Sequence, residues 1–441
     1  MLFPRNFRKD YPLAERGQGC WIFTSDGKKY LDAAGQAAVV SIGHGVESVA
    51  QAMAEQAGRL AFAHTSQFHT QAAERLAKRL LQLAPVSMRS GGRVYFTSGG
   101  SEANETAIKL ARQYHLERGQ PQRFRVVSRR QSYHGSTVGA MAVSGNVARK
   151  SPYLPLLAEW GHIAPCFCAH CALNLKFPEC DLACAGELET LLQGDAHTIA
   201  AFIFEPVVGA TLGAVSPAKG YVRHIAEICR RHGVLLIADE VMSGMGRTGK
   251  NFAVEHWDVT PDIITVGKGV ASGYAPLGAV IAGPRVIEAF TGGSGDGIFQ
   301  HGLTYQAHPV SMAAGNAVLD CMERNNLFAR VAEAGRAMFA ALEPLRAHSQ
   351  VSDVRGMGLL AAVEFVRDKK SSEPFPAEEK ACERIHEAAM EEGVLTYPTK
   401  GCVDGHRGDH ILLAPPFTIS QEECATIARA LAAALEHVFH A

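Results

Sequence analysis

The chain has no surplus of either charge. Its 43 Lys and Arg are balanced by 44 Asp and Glu, for a formal net charge of −1, so it lacks the basic field that draws in nucleic acid or an anionic bilayer. It also lacks a long apolar run: every apolar stretch falls well short of the ~20 residues that span a membrane. The opening "MLFPRNFRKDYPLAERG" scatters charge where a secretory leader would carry an unbroken apolar segment. No internal repeat, low-complexity tract or disordered linker stands out. These absences exclude nucleic acid and membrane as expected partners. A small molecule is the default, and the cytoplasm is the expected location. Without a leader, the eleven cysteines argue for reduced thiols rather than a disulfide framework.

What is present is alternation. At 441 residues the chain exceeds what one hydrophobic core usually serves, so a large domain and a smaller one are expected. Short β-branched or aromatic runs recur at 93–99, 124–129, 200–206, 234–240, 262–268 and 278–283. Apolar on both faces, they suit buried strands of a mostly parallel sheet. Between two of them, "YVRHIAEICRRHG" (221–233) places Val222, Ile225, Ala226 and Cys229 at helical spacing and stops at a glycine. Strand and helix in turn mean an α/β fold. From about residue 310 a long Ala-rich helical stretch takes over, and strand-like runs return at "GLLAAVEFV" (358–366) and "HILLAPPF" (410–417). This texture reads as a separate C-terminal domain, with 367–380 an exposed loop.

In an open α/β sheet, ligands bind beyond the carboxyl ends of the strands. "DIITVGKG" ends by presenting Lys268 between Gly267 and Gly269, and "VLLIADE" delivers Asp239. After "RVYF", "TSGGSEANETAIKLARQYH" opens a helix with small residues whose backbone amides can approach an anion. One lysine, one carboxylate and one phosphate cradle at the same sheet edge are what pyridoxal 5'-phosphate requires. The amine forms a Schiff base with the aldehyde, and the carboxylate keeps the pyridine nitrogen protonated so that the ring accepts electrons. Taken singly, Lys268 is a solvated turn residue, Asp239 a helix cap, Tyr133 a core aromatic and "SGGSE" any tight turn. Independent turns would not supply the whole set in this order.

The stretches "FTSGGSEANETAIKLAR", "YHGST" (133–137), "FEPVVGA" (204–210), "LLIADEVMSGMGRTG" (235–249), "PDIITVGKGVASGYAPLGAVI" (261–281) and "HGLTYQAHPVSMAAGNAVL" (301–319) run in the order of one family. Over nearly its whole length the chain resembles the class III (subgroup II) aminotransferases. That family includes ω-amino acid, ornithine, 4-aminobutyrate and diaminopelargonate aminotransferases. The resemblance implies fold type I: a large domain at 61–310 with a mostly parallel seven-stranded sheet, and a smaller α/β domain built from 1–60 and 311–441. It makes Lys268 the Schiff-base residue and Asp239 the pyridinium partner. Gly100 and Ser101 hold the phosphate, Tyr133 stacks on the ring and Val241 packs on its other face. Glu205 joins the polar network, His134 supports the "YHG" turn, and Thr304 reaches the neighbouring subunit's phosphate. A homodimer with shared sites, alone or paired into a dimer of dimers, follows from that last role.

The implied reaction moves an amino group from an amine or amino acid to a 2-oxo acid or aldehyde through pyridoxamine phosphate. A lyase or decarboxylase on the same fold is the alternative, for example one releasing ammonia from an amino acid or aminophosphonate. A non-catalytic binding protein is opposed by the presence of both Lys268 and Asp239. Three places depart from the family pattern. After "YLD", where many amine-accepting members carry a large side chain, a gapless placement puts Ala38 and widens the pocket, unless the loop is rearranged. Arg407, upstream of the "PP" turn, is placed to bind a substrate carboxylate; its plainer reading is an exposed ion pair with Asp404 or Asp409. Cys166, Cys168, Cys171, Cys180 and Cys184 lie close enough in sequence for structural zinc. Reduced thiols in a variable loop, with no metal, are the expectation.

Overall fold

The structure, a computed structural model, describes residues 2–292 and 296–440. The chain begins with the short strands β1 (Ala14–Gln18), β2 (Trp21–Thr24) and β3 (Lys29–Asp32). Next come β4 (Arg93–Thr97), β5 (Arg125–Arg129), β6 (His162–Ile163), β7 (Ile199–Phe204), β8 (Leu235–Asp239), β9 (Ile263–Val266) and β10 (Gly278–Ala282). These seven form one sheet in the order β4-β10-β9-β8-β7-β5-β6. Within it β10 runs antiparallel to both its neighbours, and the pairs from β9 across to β6 are parallel.

Every residue of β7, β8, β9 and β10 is buried. The reason is visible in which core each joins. Phe202, Phe204, Leu236 and Ala238 enter one apolar cluster, whereas Ala201, Ile203, Leu235 and Ile237 enter another. Successive side chains point to opposite faces, so apolar residues at every position are what a sheet covered on both sides needs. The runs at 93–99, 124–129, 200–206, 234–240, 262–268 and 278–283 all become strands of this sheet; only the seventh, the two-residue β6, carries too little sequence to be seen.

The C-terminal segment supplies β11 (Val351–Met357), β12 (Leu360–Phe365), β13 (Val394–Leu395), β14 (Tyr397–Lys400) and β15 (Asp409–Leu413). Strands β11-β12-β15-β14 make an antiparallel sheet, whereas β13 belongs to the sheet β1-β2-β3-β13, pairing in parallel with β3. The two ends of the chain therefore share one sheet. The Ala-rich stretch is two helices, Pro309–Arg324 and Leu327–Leu342, separated where Asn326 takes a φ of +49°, a conformation asparagine tolerates. Residues 367–373 are exposed, while Phe375 turns inward. Among the described residues no helix is long and apolar enough to cross a membrane.

Candidate active site

Asp239 is the last residue of β8 and is almost fully buried. Both of its oxygens are engaged. Oδ2 accepts from Asn104 Nδ2 at 2.8 Å and meets His134 Nδ1 at 2.7 Å, and Oδ1 accepts from the Val241 amide at 3.1 Å. Asn104 is itself fixed: its Nδ2 donates to the His134 carbonyl at 2.6 Å and its Oδ1 accepts from Thr265 Oγ1 at 2.7 Å. The helix Gly100–Glu117, the His134 turn and strands β8 and β9 thus converge on one carboxylate. The other ring nitrogen of His134, Nε2, is buried and has no hydrogen-bond partner among the described residues.

Lys268 follows β9 in a left-handed conformation, φ +44°. Gly267 before it is packed so closely that an added Cβ would come within 3.2 Å of the Gly100 amide nitrogen and 3.3 Å of Val241 Cγ1. Burial of the Lys268 ammonium pulls its pKa down to about 8, against the attraction of Asp239 and Glu205. Its Nζ donates to the Ala37 carbonyl at 2.8 Å. That carbonyl sits in a left-handed turn in which Gln36 (φ +51°), Ala37 (+64°) and Ala38 (+61°) follow one another. Such residues cost roughly 1–2 kcal/mol each and persist only where the surroundings hold them. Here Ser272 Oγ accepts from the amides of Ser41 at 2.8 Å and Ile42 at 3.1 Å, and Arg247 Nη2 donates to the Val40 carbonyl at 3.1 Å.

The helix Gly100–Glu117 begins at Gly99, next to open space: no heavy atom outside its chain neighbours lies within 4 Å of where a Gly99 Cβ would sit. Its first-turn amides have no intrahelical acceptor, an arrangement that suits an anion. Beside them, Ser101 Oγ accepts from the Ser136 amide at 3.0 Å, and Ser136 Oγ meets Tyr133 Oη at 3.0 Å. Glu205 anchors the Tyr133 turn: Oε1 accepts from the Tyr133 amide at 2.8 Å, and Oε2 from the Gly209 amide at 2.9 Å. Burial pushes its carboxyl pKa up.

These contacts bring Gly100, Ser101, Tyr133, His134, Glu205, Asp239, Val241 and Lys268 to one edge of the sheet. Three sequence candidates lie otherwise. Ala38 is buried in an apolar cluster with Val207, Ala214, Leu360 and Leu412. Thr304 stands exposed on a turn. Arg407 is exposed, its Nε 2.7 Å from Asp404 Oδ2, which is the ion pair the plainer reading of that loop describes. The five clustered cysteines are free thiols around a cavity of about 20 Å³, with Cys166 Sγ accepting from the Ala218 amide at 3.3 Å. Among the described residues the one trio with ligand atoms within 4.8 Å of one another is elsewhere, at Cys382, Glu383 and Asp409. Asn104 escaped sequence reasoning. The available signal was its place four residues into the Gly100 helix, an amide on the side that faces the sheet.

The unpaired His134 Nε2, the open space at Gly99 and the half-buried, weakly basic amine of Lys268 fit pyridoxal phosphate. With Gly99 after β4, His134 after β5, Asp239 at the end of β8 and Lys268 after β9, the arrangement is that of a fold type I pyridoxal-phosphate enzyme. The chain belongs to the class III aminotransferases: it matches the family described as "Aminotransferase class-III" over residues 4–435. It is 38% identical over 416 residues to "Uncharacterized aminotransferase YodT" of Bacillus subtilis (strain 168), covering 94% of this chain and 92% of that one. Among solved structures, an (S)-enantioselective omega-transaminase from Thermomicrobium roseum superposes with a TM-score of 0.92 at 37% identity, covering 99% of this chain and 96% of the other. A PLP-bound amine transaminase from an uncultivated Pseudomonas species gives 0.91 at 35% identity, covering 98% and 96%. The protein is therefore an aminotransferase, transferring an amino group from an amine or amino acid donor to a 2-oxo acid or aldehyde acceptor. The lyase alternative has no support among these relatives.

Proposed function

We propose that this aminotransferase works as a cytoplasmic homodimer in which Lys268 carries pyridoxal phosphate covalently through its amine. The single observation behind the site assignment is that the strand next to the one ending at Lys268 ends in an Asp239 carboxylate held from both oxygens. When bound, pyridoxal phosphate supplies a carbonyl that captures the substrate amine and a ring that draws electrons from the neighbouring carbon. The chain's own residues do the rest. Asp239, unable to rotate away, would keep a proton on the ring nitrogen of the bound cofactor. Gly100 and Ser101 would hold the phosphate with the helix amides, and Tyr133 and Val241 would bracket the ring. Lys268, once released, is a general base and acid with a pKa of about 8, close enough to neutrality to accept the substrate Cα proton and give it back. The Ala37 carbonyl gives its free amine a fixed hydrogen-bond partner. Residues 61–310 serve as the cofactor domain, with 1–60 and 311–441 as the small domain; the pairing of β13 with β3 supports that division.

Borohydride reduction of the holoenzyme followed by peptide mapping tests the assignment. The pyridoxyl group is expected on Lys268, and label on a different lysine overturns it.

A further inference from the structure

The cations around the cleft differ in what they are already doing. Arg247 is a backbone staple, its Nη1 donating to the carbonyls of Leu359 at 3.1 Å and Pro415 at 2.6 Å. Lys150 Nζ donates to the carbonyls of Ala142 at 3.0 Å and Ser144 at 2.9 Å. Arg129 is buried against the Glu205 carbonyl. Arg407 is engaged by Asp404 through both backbone and side chain.

Arg149 is not spent in this way. It is half-buried, and its guanidinium carbon lies 4.6 Å from the centroid of the Tyr133 ring. Its backbone amide is fixed by Asn146 Oδ1 at 3.0 Å, but among the described residues no carboxylate or carbonyl pairs with its guanidinium. The ring it covers is itself held at both ends, by Glu205 at the amide and Ser136 at the hydroxyl. Its charge is also felt at the reacting amine, where it helps to hold the Lys268 ammonium pKa down.

We propose that Arg149 receives the carboxylate of an acidic substrate, a 2-oxo acid acceptor or the amino acid formed from it. This deepens the aminotransferase reading and rests on it. A planar guanidinium with free N–H groups, pre-oriented on an aromatic face, binds a carboxylate through two parallel hydrogen bonds. The same charge repels a cationic amine, so the residue favours the acid end of a substrate over its amino end. The Arg407 loop takes a different role. An added Cβ on Gly405 would come within 3.0 Å of Val147 Cγ2, and Gln131 Nε2 donates to the carbonyls of Gly401 at 2.9 Å and Cys402 at 3.1 Å. The loop packs on the short helix Val147–Lys150 that carries Arg149, and so buttresses it.

The test uses the holoenzyme with a fixed amine donor and two acceptors, pyruvate and propanal. Arg149→Ala is expected to raise KM for pyruvate about tenfold or more, as loss of charged hydrogen bonds does, while KM for propanal changes less than about twofold. Arg149→Lys should recover only part of the loss, since an ammonium keeps the charge without the fork. Any effect of Arg407→Ala, acting through the loop that packs on this helix, should fall on both acceptors alike. Equal loss with both acceptors, an equivalent loss of pyridoxal phosphate affinity in a direct titration, or a pyruvate-selective loss in Arg407→Ala instead would each overturn the proposal. Failure of the wild type to aminate either acceptor would sink the broader reading rather than this one.

Discussion

At the scale of single residues, the decisive quantity is the basicity of Lys268. Its folded pKa of about 8 lies below the ~10.4 of a free lysine. Between those values the unfolded chain holds a proton that the folded chain has lost, so the stability of the cofactor-free protein rises with pH across that window. The same shift governs reactivity, because only the neutral amine attacks an aldehyde. Capture of pyridoxal phosphate by cofactor-free enzyme, followed by stopped-flow absorbance, should accelerate as pH climbs through about 8 and level off above it. A rate still rising past pH ~10 would mean an amine of ordinary basicity. Lys268 and Asp239 were legible because each ends an apolar run, and the position of a polar residue at a strand end is a local feature. The contacts of Asp239 were not: Asn104 lies 135 residues away and His134 105, and no periodicity encodes such meetings. Arg149 was hidden for the same reason, since its significance lies in the ring it covers and the partners it lacks.

At the scale of elements, strands buried on both faces announced themselves as continuous apolar runs. Those with one wet face did not. β11 reads "VSDVRGM" with only Val351 and Val354 fully buried, and β14 reads "YPTK" with none. The left-handed turn at residues 35–38 was invisible because nothing but Gly35 in "GQAA" marks a positive φ. The start of the Gly100 helix shows how tightly an element can be specified. A Cβ at Gly100 would lie 2.7 Å from Val241 Cγ1. Gly100→Ala raises helix propensity by up to about 1 kcal/mol, so melting should barely change. The amides that hold the phosphate must shift by tenths of an ångström, so cofactor affinity should fall about tenfold. Gly100→Ala combined with Val241→Ala removes the clash and should restore part of it. A calorimetric melt beside a cofactor titration separates the two effects; a large fall in Tm with unchanged affinity would contradict this account.

At the scale of the molecule, the exposed segment around Thr304 carries more apolar surface than a monomer needs. Phe62, Phe68, Ile298 and Tyr305 are all substantially exposed, Phe62 and Tyr305 with ring centroids 6.2 Å apart. Phe68, with Phe299 and Leu303, lines a cleft of about 380 Å³. Contiguous apolar surface of this kind marks an interaction site, and a symmetric dimer would cover it on both copies at once. The proposed role of Thr304 would tie this surface to the chemistry, because a hydroxyl supplied from a neighbouring subunit would leave each site incomplete in a single chain. Two variants distinguish assembly from the hydroxyl itself. Thr304→Ala should remain dimeric in sedimentation velocity and lose affinity for pyridoxal phosphate by about a charged hydrogen bond, roughly tenfold. Phe68→Asp, which places a charge in the apolar patch without touching the site of its own chain, should sediment as a monomer and lose cofactor affinity together with activity. A monomer that binds cofactor as tightly as the wild type and turns over normally would show that one chain completes its own site, and Thr304 would then have no partner to serve.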